Sequence, residues 1–325
     1  MKHVSVLVPK GDCSLSNLEA THKMFTMAND ALQKMGHPPA FKLQMVASED
    51  SIRESYGIFK VQPDATIDTV GKTDLIMIPA IHGNYGEVVK ANQDFVPWML
   101  AQREKGAEIA SFCIGAFLLA STGLLDGKNC ATHWLAIEEF RAMFPKVNLL
   151  GDSILTDENG IYTSGGAYSS LNLNLYLIEK FAGREMAVLS SKVFQLDINR
   201  NSQSPFIIFK GQKAHDDKEI LQVQNYIEAN FPEKFSVDAL CEQIAVSRRT
   251  FERRFKKATT NTPVEYIQRV KIEAAKKELE NGRKQVNEVM YGVGYNDPKA
   301  FRDIFKKITD MTPVEYQGRF RTINN

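Results

Sequence analysis

Cysteine is scarce in this chain: Cys13, Cys113, Cys130 and Cys241 are the only four in 325 residues, and no two stand in a CxxC arrangement. That spacing argues against a disulfide framework and against a cysteine zinc site, so free thiols are expected, with no metal and no cofactor. Long apolar runs are missing as well. No stretch approaches the roughly 20 residues that cross a bilayer, and the run before Lys10 is too short for a signal peptide. A cytoplasmic protein with no membrane contact is expected. Repetitive or biased composition is absent too, and 43% hydrophobic with 24% charged residues is ordinary for a folded globular chain.

Net charge is also small, +1 overall, which by itself gives little reason to expect nucleic acid. Its distribution says more. Residues 1–210 hold 19 Lys+Arg against 22 Asp+Glu, whereas residues 211–325 hold 21 against 17, so the halves carry −3 and +4. At this length two domains are expected. Polar residues, a proline and a glycine interrupt the pattern from Asn199 to Gly211. The expected division is a domain over 1–200, a linker over 201–214 and a second domain over 215–325. In the first, β-like runs (Val4–Val8, Phe41–Val46, Leu75–Ile78, Glu108–Phe112) alternate with helical stretches such as Leu18–Met35, which predicts a parallel sheet covered by helices.

The second half shows only helical signals and contains a duplication. Between Phe251 and Arg269 the chain repeats itself 50 residues later at 11 of 19 positions, among them Phe251, Phe255, Lys256, Lys257, Thr259 and the run Thr262–Tyr266. Upstream, Val237, Leu240, Cys241 and Ile244 correspond to Val286, Val289, Met290 and Val293 at an offset of 49, so the second copy has one extra residue in its turn. Each copy reads as a short helix, a tight turn and a longer helix. Ser247 and the pair Asp297-Pro298 are the expected helix starts. Thr262-Pro263-Val264-Glu265 has the form of a capping box opening a helix that ends near Asn281-Gly282. About 18 residues at about 1.5 Å rise make a rod of roughly 27 Å, which could place two recognition helices near one turn of B-DNA, about 34 Å, apart.

In the first longer helix, Phe251, Phe255 and Ala258 are spaced to face a core, leaving Arg249, Glu252, Arg253 and Lys256 on the opposite face. The second has Phe301, Phe305 and Ile308 inward and Lys299, Arg302, Asp303 and Lys306 outward. Arginine pairs with guanine and carboxylates accept from cytosine. Arg249, Glu252 and Arg253 are therefore expected to read bases, and Lys256 to hold phosphate. Asp303 either orients Arg302 or marks a unit that mainly grips the backbone.

Residues of about 216–320, and Val293–Phe320 above all, resemble the AraC/XylS family of transcription regulators. That resemblance implies a seven-helix DNA-binding domain with two helix-turn-helix units, double-stranded DNA and RNA polymerase as partners, and activation more often than repression. The family usually has glycine at the position of Thr260 or Asp310, and neither copy does.

The first half holds one constellation of chemical interest. Cys113 follows an apolar strand and precedes a helix beginning near Gly115, a sharp strand-to-helix turn of the nucleophile-elbow kind, with the helix dipole favouring a thiolate and His133 twenty residues on. The stretch resembles the PfpI-like branch of the class I glutamine amidotransferase-like superfamily, which implies a flavodoxin-like α/β sandwich. Joined to an AraC-type domain, it is similar to the GlxA-type regulators. Enzymes of that branch carry histidine after the cysteine, where this chain has Ile114, and a carboxylate where it has Asn17; Pro79–Gly83 also lacks paired glycines. No catalytic residue is therefore assigned. The favoured reading is a former active site used as a ligand pocket, lined by Asn17, His82, Cys113, Ile114, His133 and Gly166, taking a small polar metabolite such as an amino acid or amine and acting through a homodimer. The alternatives are a cysteine-dependent hydrolase or glyoxalase-like enzyme, and a thiol redox sensor.

Overall fold

The structure is a computed structural model that describes residues 1–50, 59–198 and 202–321, together with the backbone of 53–55. The chain divides into two compact units, Met1–Gln203 and Ser204–Asn325. The expected boundary between residues 200 and 201 falls outside the described residues. Of the expected linker, Gln203 is buried in the first unit, while Ser204 and Pro205 are buried in the second.

Among the described residues, seven strands form the main sheet of the first unit, in the order Leu155–Asp157, Ile161–Ser164, Glu108–Phe112, Leu75–Ile78, Lys2–Val8, Phe41–Ala47, Ala65–Thr66. All neighbours pair in parallel except the first two, which form an antiparallel hairpin. The three central strands are mostly apolar and largely buried, as strands covered on both faces must be. Their period of two sends alternate side chains to opposite layers. Val4, Val6, Leu75, Met77, Ala110 and Phe112 join one core with residues of the helices Leu15–Lys34 and Ser170–Ala182. Leu7, Ile76, Ile78 and Ile109 join the other, against Phe117 and Phe140. The result is a three-layer, flavodoxin-like α/β sandwich.

The second unit has seven α-helices among the described residues: Lys218–Ala229, Val237–Gln243, Arg248–Thr259, Pro263–Asn281, Val286–Gly292, Pro298–Thr309 and Pro313–Phe320. Four residues separate the first short helix from its partner and five separate the second, which is the extra residue the sequence offsets require. Ser247 Oγ accepts from Thr250 N, and Asp297 Oδ1 accepts from both Lys299 N and Ala300 N. The capping boxes form twice: Thr262 and Thr312 each accept from the backbone of the Glu three residues on, whose carboxylate accepts from the Thr backbone at 2.8 and 2.7 Å.

Ala258 and Ile308 pack against their cores as expected, and each inward face gains one residue beyond those expected. Ala258 and Ile308 are only half buried, whereas Thr259 and Thr309 are fully buried. Each threonine hydroxyl donates to the carbonyl four residues back (Phe255 and Phe305, both at 2.8 Å) and accepts from the amide two residues on. These bonds tie off the helix ends just before the chain turns left-handed at Thr260 and Asp310, both at φ 59°. The duplication also reaches further back than the sequence match. Ile220, Val223, Ile227 and Glu228 of the first helix correspond in position and packing to Ile272, Ala275, Leu279 and Glu280 of the fourth. The hydroxyls of Tyr266 and Tyr316 donate to Glu228 and Glu280 respectively, both at 2.6 Å. Pro263–Asn281 is thus the last helix of one unit and the first of the next, and its 19 residues span about 28 Å.

Candidate nucleic-acid interface and ligand site

Each recognition helix is held by two phenylalanines. Phe251 and Phe255 are fully buried in the first core, and Phe301 and Phe305 are 2% and 0% exposed in the second. Because the helix period is 3.6, that anchoring turns Arg249, Glu252, Arg253 and Lys256 outward in one copy and Lys299, Arg302, Asp303 and Lys306 outward in the other; all eight are exposed. The turn between the paired helices needs a left-handed residue in both copies. Ala245 takes φ 52°, and Gly294 takes φ 79°, where a Cβ would run into the carbonyl oxygen of Pro232.

The exposed faces are not equally free. Glu252 accepts from Arg248 Nε at 3.0 Å, so it would have to leave an ion pair to meet a base, although surface pairs of this kind are weak. Arg254 does not belong to the exposed set. Its guanidinium grips both oxygens of Asp217 at 2.9 and 2.6 Å and Glu219 at 2.7 Å, fastening the recognition helix to the start of Lys218–Ala229. That grip holds the Asp217 carboxyl below its ordinary range. In the second copy the equivalent residue is Ile304, which packs into the core instead. Arg249, Arg253, Lys256, Lys299, Arg302 and Lys306 make no ion pair with another described residue. Asp303 does not orient Arg302, since neighbours in sequence diverge around a helix.

In the first unit, Asn17, Cys113 and Gly166, with the segments around Ala80 and Thr132, gather at the carboxyl ends of the parallel strands, where open α/β sheets bind ligands. Cys113 follows Phe112 directly and sits at φ 54°, strained for a residue with a side chain. Gly115 lets the turn pass the neighbouring strand. A Cβ there would lie 2.5 Å from Pro79 O and 2.8 Å from Ile78 O. Thr132 Oγ1 donates to Cys113 O at 3.0 Å. Asn17, in place of an acid, is 1% exposed and spends its amide on structure: Oδ1 accepts from Ala80 N at 3.0 Å and Nδ2 donates to Ser170 Oγ at 3.1 Å. Glu19 points away into solvent.

The thiol departs from expectation. Cys113 is 3% exposed, and burial pushes its pKa up to about 12, so desolvation outweighs the short helix that follows it. Ile114 and His133 are half buried and His82 is exposed. His133 Nδ1 accepts from Leu135 N at 3.1 Å, and burial lowers its pKa, favouring the neutral ring.

One residue here has no sequence signature. Gln203, 1% exposed, reaches between the strand ends: Nε2 lies 3.1 Å from Thr132 O, 3.1 Å from Gly151 O and 3.2 Å from Ser153 O, and Oε1 accepts from Gly166 N at 3.2 Å. A Cβ on Gly165 would meet this amide at 2.8 Å, which accounts for the glycine. Nearby, the buried hydroxyls of Ser164 and Ser169 have no hydrogen-bond partner among the described residues. Also among the described residues, no three His, Cys, Asp or Glu side chains gather as a metal site, and no helix is long and apolar enough to cross a membrane.

A covered parallel α/β domain in the same chain as a duplicated helix-turn-helix pair defines a DNA-binding transcriptional regulator. Residues 19–180 match the DJ-1/PfpI family and residues 240–319 match a helix-turn-helix domain, so the chain carries a DJ-1/PfpI domain followed by an AraC-type DNA-binding domain. It is 26% identical over 262 residues to the HTH-type transcriptional regulator GbdR of Pseudomonas aeruginosa, covering 80% of this chain and 70% of that protein. It is 27% identical over 217 residues to the HTH-type transcriptional regulator ArgR of the same species, covering 66% of each. In fold it is similar to Drosophila melanogaster DJ-1beta, with a TM-score of 0.51 at 16% identity over 60% of this chain and 98% of that one.

Proposed function

We propose that this regulator reads a bipartite operator with its two recognition helices and answers to a small polar metabolite, of the amino-acid or amine class, held at the carboxyl edge of the α/β sheet. One observation carries the DNA part: two units of the same design, joined through a common helix, each present an exposed, predominantly cationic helix face. Arg249 and Arg253 read bases in one subsite, Lys299 and Arg302 act in the other, and Lys256 and Lys306 hold phosphates. The protein acts in the cytoplasm as a homodimer and meets RNA polymerase at its promoters.

The sensing part rests on buried polar groups that have no hydrogen-bond partner among the described residues. Ser164 and Ser169 flank Gly165-Gly166 beside Asn17, and unpaired buried hydroxyls favour a polar guest. The strained turn at Cys113 keeps the form of a nucleophile elbow, yet a buried thiol with raised pKa and an amide at Asn17 make a binding wall instead of a catalyst. Selection of the full-length protein on random duplex DNA tests the first part. Enrichment of two subsites about one helical turn apart is expected, and recovery of sequence no better than the starting pool overturns it. Thermal shift of the full chain against amino acids and amines tests the second, with Gly166→Val expected to abolish any rise in Tm. A shift that survives that substitution places the ligand elsewhere.

A further inference from the structure

The two recognition helices match closely in scaffold and reverse charge at two neighbouring exposed positions, Glu252 against Arg302 and Arg253 against Asp303. Arg253 and Asp303 occupy equivalent places, each two residues after the first anchoring phenylalanine and two before the second. Asp303 is exposed, and it is the sole acidic side chain of Pro298–Thr309, among Lys299, Arg302, Lys306 and Lys307. It makes no ion pair with another described residue, whereas Glu252, the one acid of Arg248–Thr259, is held by Arg248. A carboxylate so placed is repelled by phosphate and by the acceptor edges of guanine and thymine. In the major groove it is suited to an exocyclic amine. Adenine sets its N7 acceptor beside that amine, and cytosine offers N4 without such a neighbour on the same base.

From this we infer that Asp303 is a specificity-determining residue that selects cytosine in the second subsite, at the register where Arg253 selects guanine in the first. The inference rests on the reading above that both helices enter major grooves. It makes the operator's halves unequal, so that the regulator binds in one orientation.

Selection from random duplexes, using the full chain as wild type, Asp303→Ala, Asp303→Arg and Arg253→Ala, tests it. Wild type is expected to enrich cytosine at one column of the second subsite. Asp303→Ala should level that column while leaving the others intact, and on fixed duplexes it should reduce the preference for cytosine over the other bases by roughly tenfold. Asp303→Arg should convert the column to guanine. Because the side chain is exposed and unpaired, circular dichroism melts of these variants should match wild type. An unchanged profile in Asp303→Ala, or the loss of any base other than cytosine, overturns the assignment. If Arg253→Ala levels its own column while Asp303→Ala levels none, only the role of Asp303 fails. If no variant changes any column, the groove-reading model itself fails.

Discussion

The two helix-turn-helix units share a skeleton and part company at the surface. Their phenylalanine pairs, buried threonines, capping boxes and tyrosine–glutamate bonds coincide. Their outward faces do not, for Glu252 and Arg253 are answered by Arg302 and Asp303. A duplicated scaffold therefore constrains what packs and leaves what faces outward to diverge. The same contrast separates Arg254, which fastens its helix through Asp217 and Glu219, from Ile304, which does so by apolar packing.

The most severe way to break this equivalence is to remove an anchor. Phe255→Ala and Phe305→Ala should each cost about 3–5 kcal/mol, as large-to-small changes in a tight core do. Both tryptophans, Trp98 and Trp134, lie in the first compact unit, so helical circular dichroism lost ahead of tryptophan fluorescence isolates the second. Costs differing by more than about 2 kcal/mol would mean that the units are not energetic equals, since cavity relaxation alone spans roughly that range. Next in size, Arg253→Ala should lose about 1–3 kcal/mol on a selected operator and far less on scrambled DNA. Lys256→Ala and Lys306→Ala should weaken both alike and lower the slope of log K against log salt by about one each. Equal losses of Arg253→Ala on the two DNAs would remove its base-reading role.

A pH series sharpens the contrast at residues 254 and 304. Asp217 has a folded pKa below its unfolded value because Arg254 bonds to it, so its contribution is present above the ordinary carboxylate range and fades as pH falls through the folded value. Melts between neutral pH and pH 3 should show an acid loss that Arg254→Met diminishes; an unchanged slope would deny the clamp a role. Glu265 and Glu315 are depressed in the same direction by their capping boxes, so that part of the acid response should persist in the variant. The smallest effect concerns the left-handed residues. Thr260→Gly should stabilise by about 0.5–1 kcal/mol and Asp310→Gly by about a few tenths, because a β-branched side chain tolerates positive φ less well than aspartate does. The reverse order would show that local bonds, not backbone strain, set the cost.

Much of this was legible because it is periodic or local. Strand alternation, the spacing of Phe251 and Phe255, the Thr-Pro-Val-Glu boxes and the turn at Cys113 all write themselves into neighbouring residues. What escaped is long-range or chemically mixed. Thr259 and Thr309 look like surface residues until their hydroxyls are seen closing a helix end. Gln203 meets Thr132, Gly151 and Ser153 across 50 residues or more, and no spacing announces it. The outer limit of the repeat was hidden because Val223 answers Ala275 and Ile227 answers Leu279, substitutions that keep apolarity and discard identity. At Cys113 the order of residues suggested an activated thiol, and only burial shows that solvent is withheld from it.

Sharing Pro263–Asn281 between both units has a price in the life of the chain. Two beads on a string could be snipped apart and each survive, but no cut near Gly282 leaves two whole beads here. A product ending at that glycine would keep the helix while stripping the cover from Ile272, Ala275 and Leu279, leaving an oily stripe for chaperones and proteases to find. A premature stop would thus clear the truncated protein from the cell instead of leaving a half-regulator to occupy single subsites.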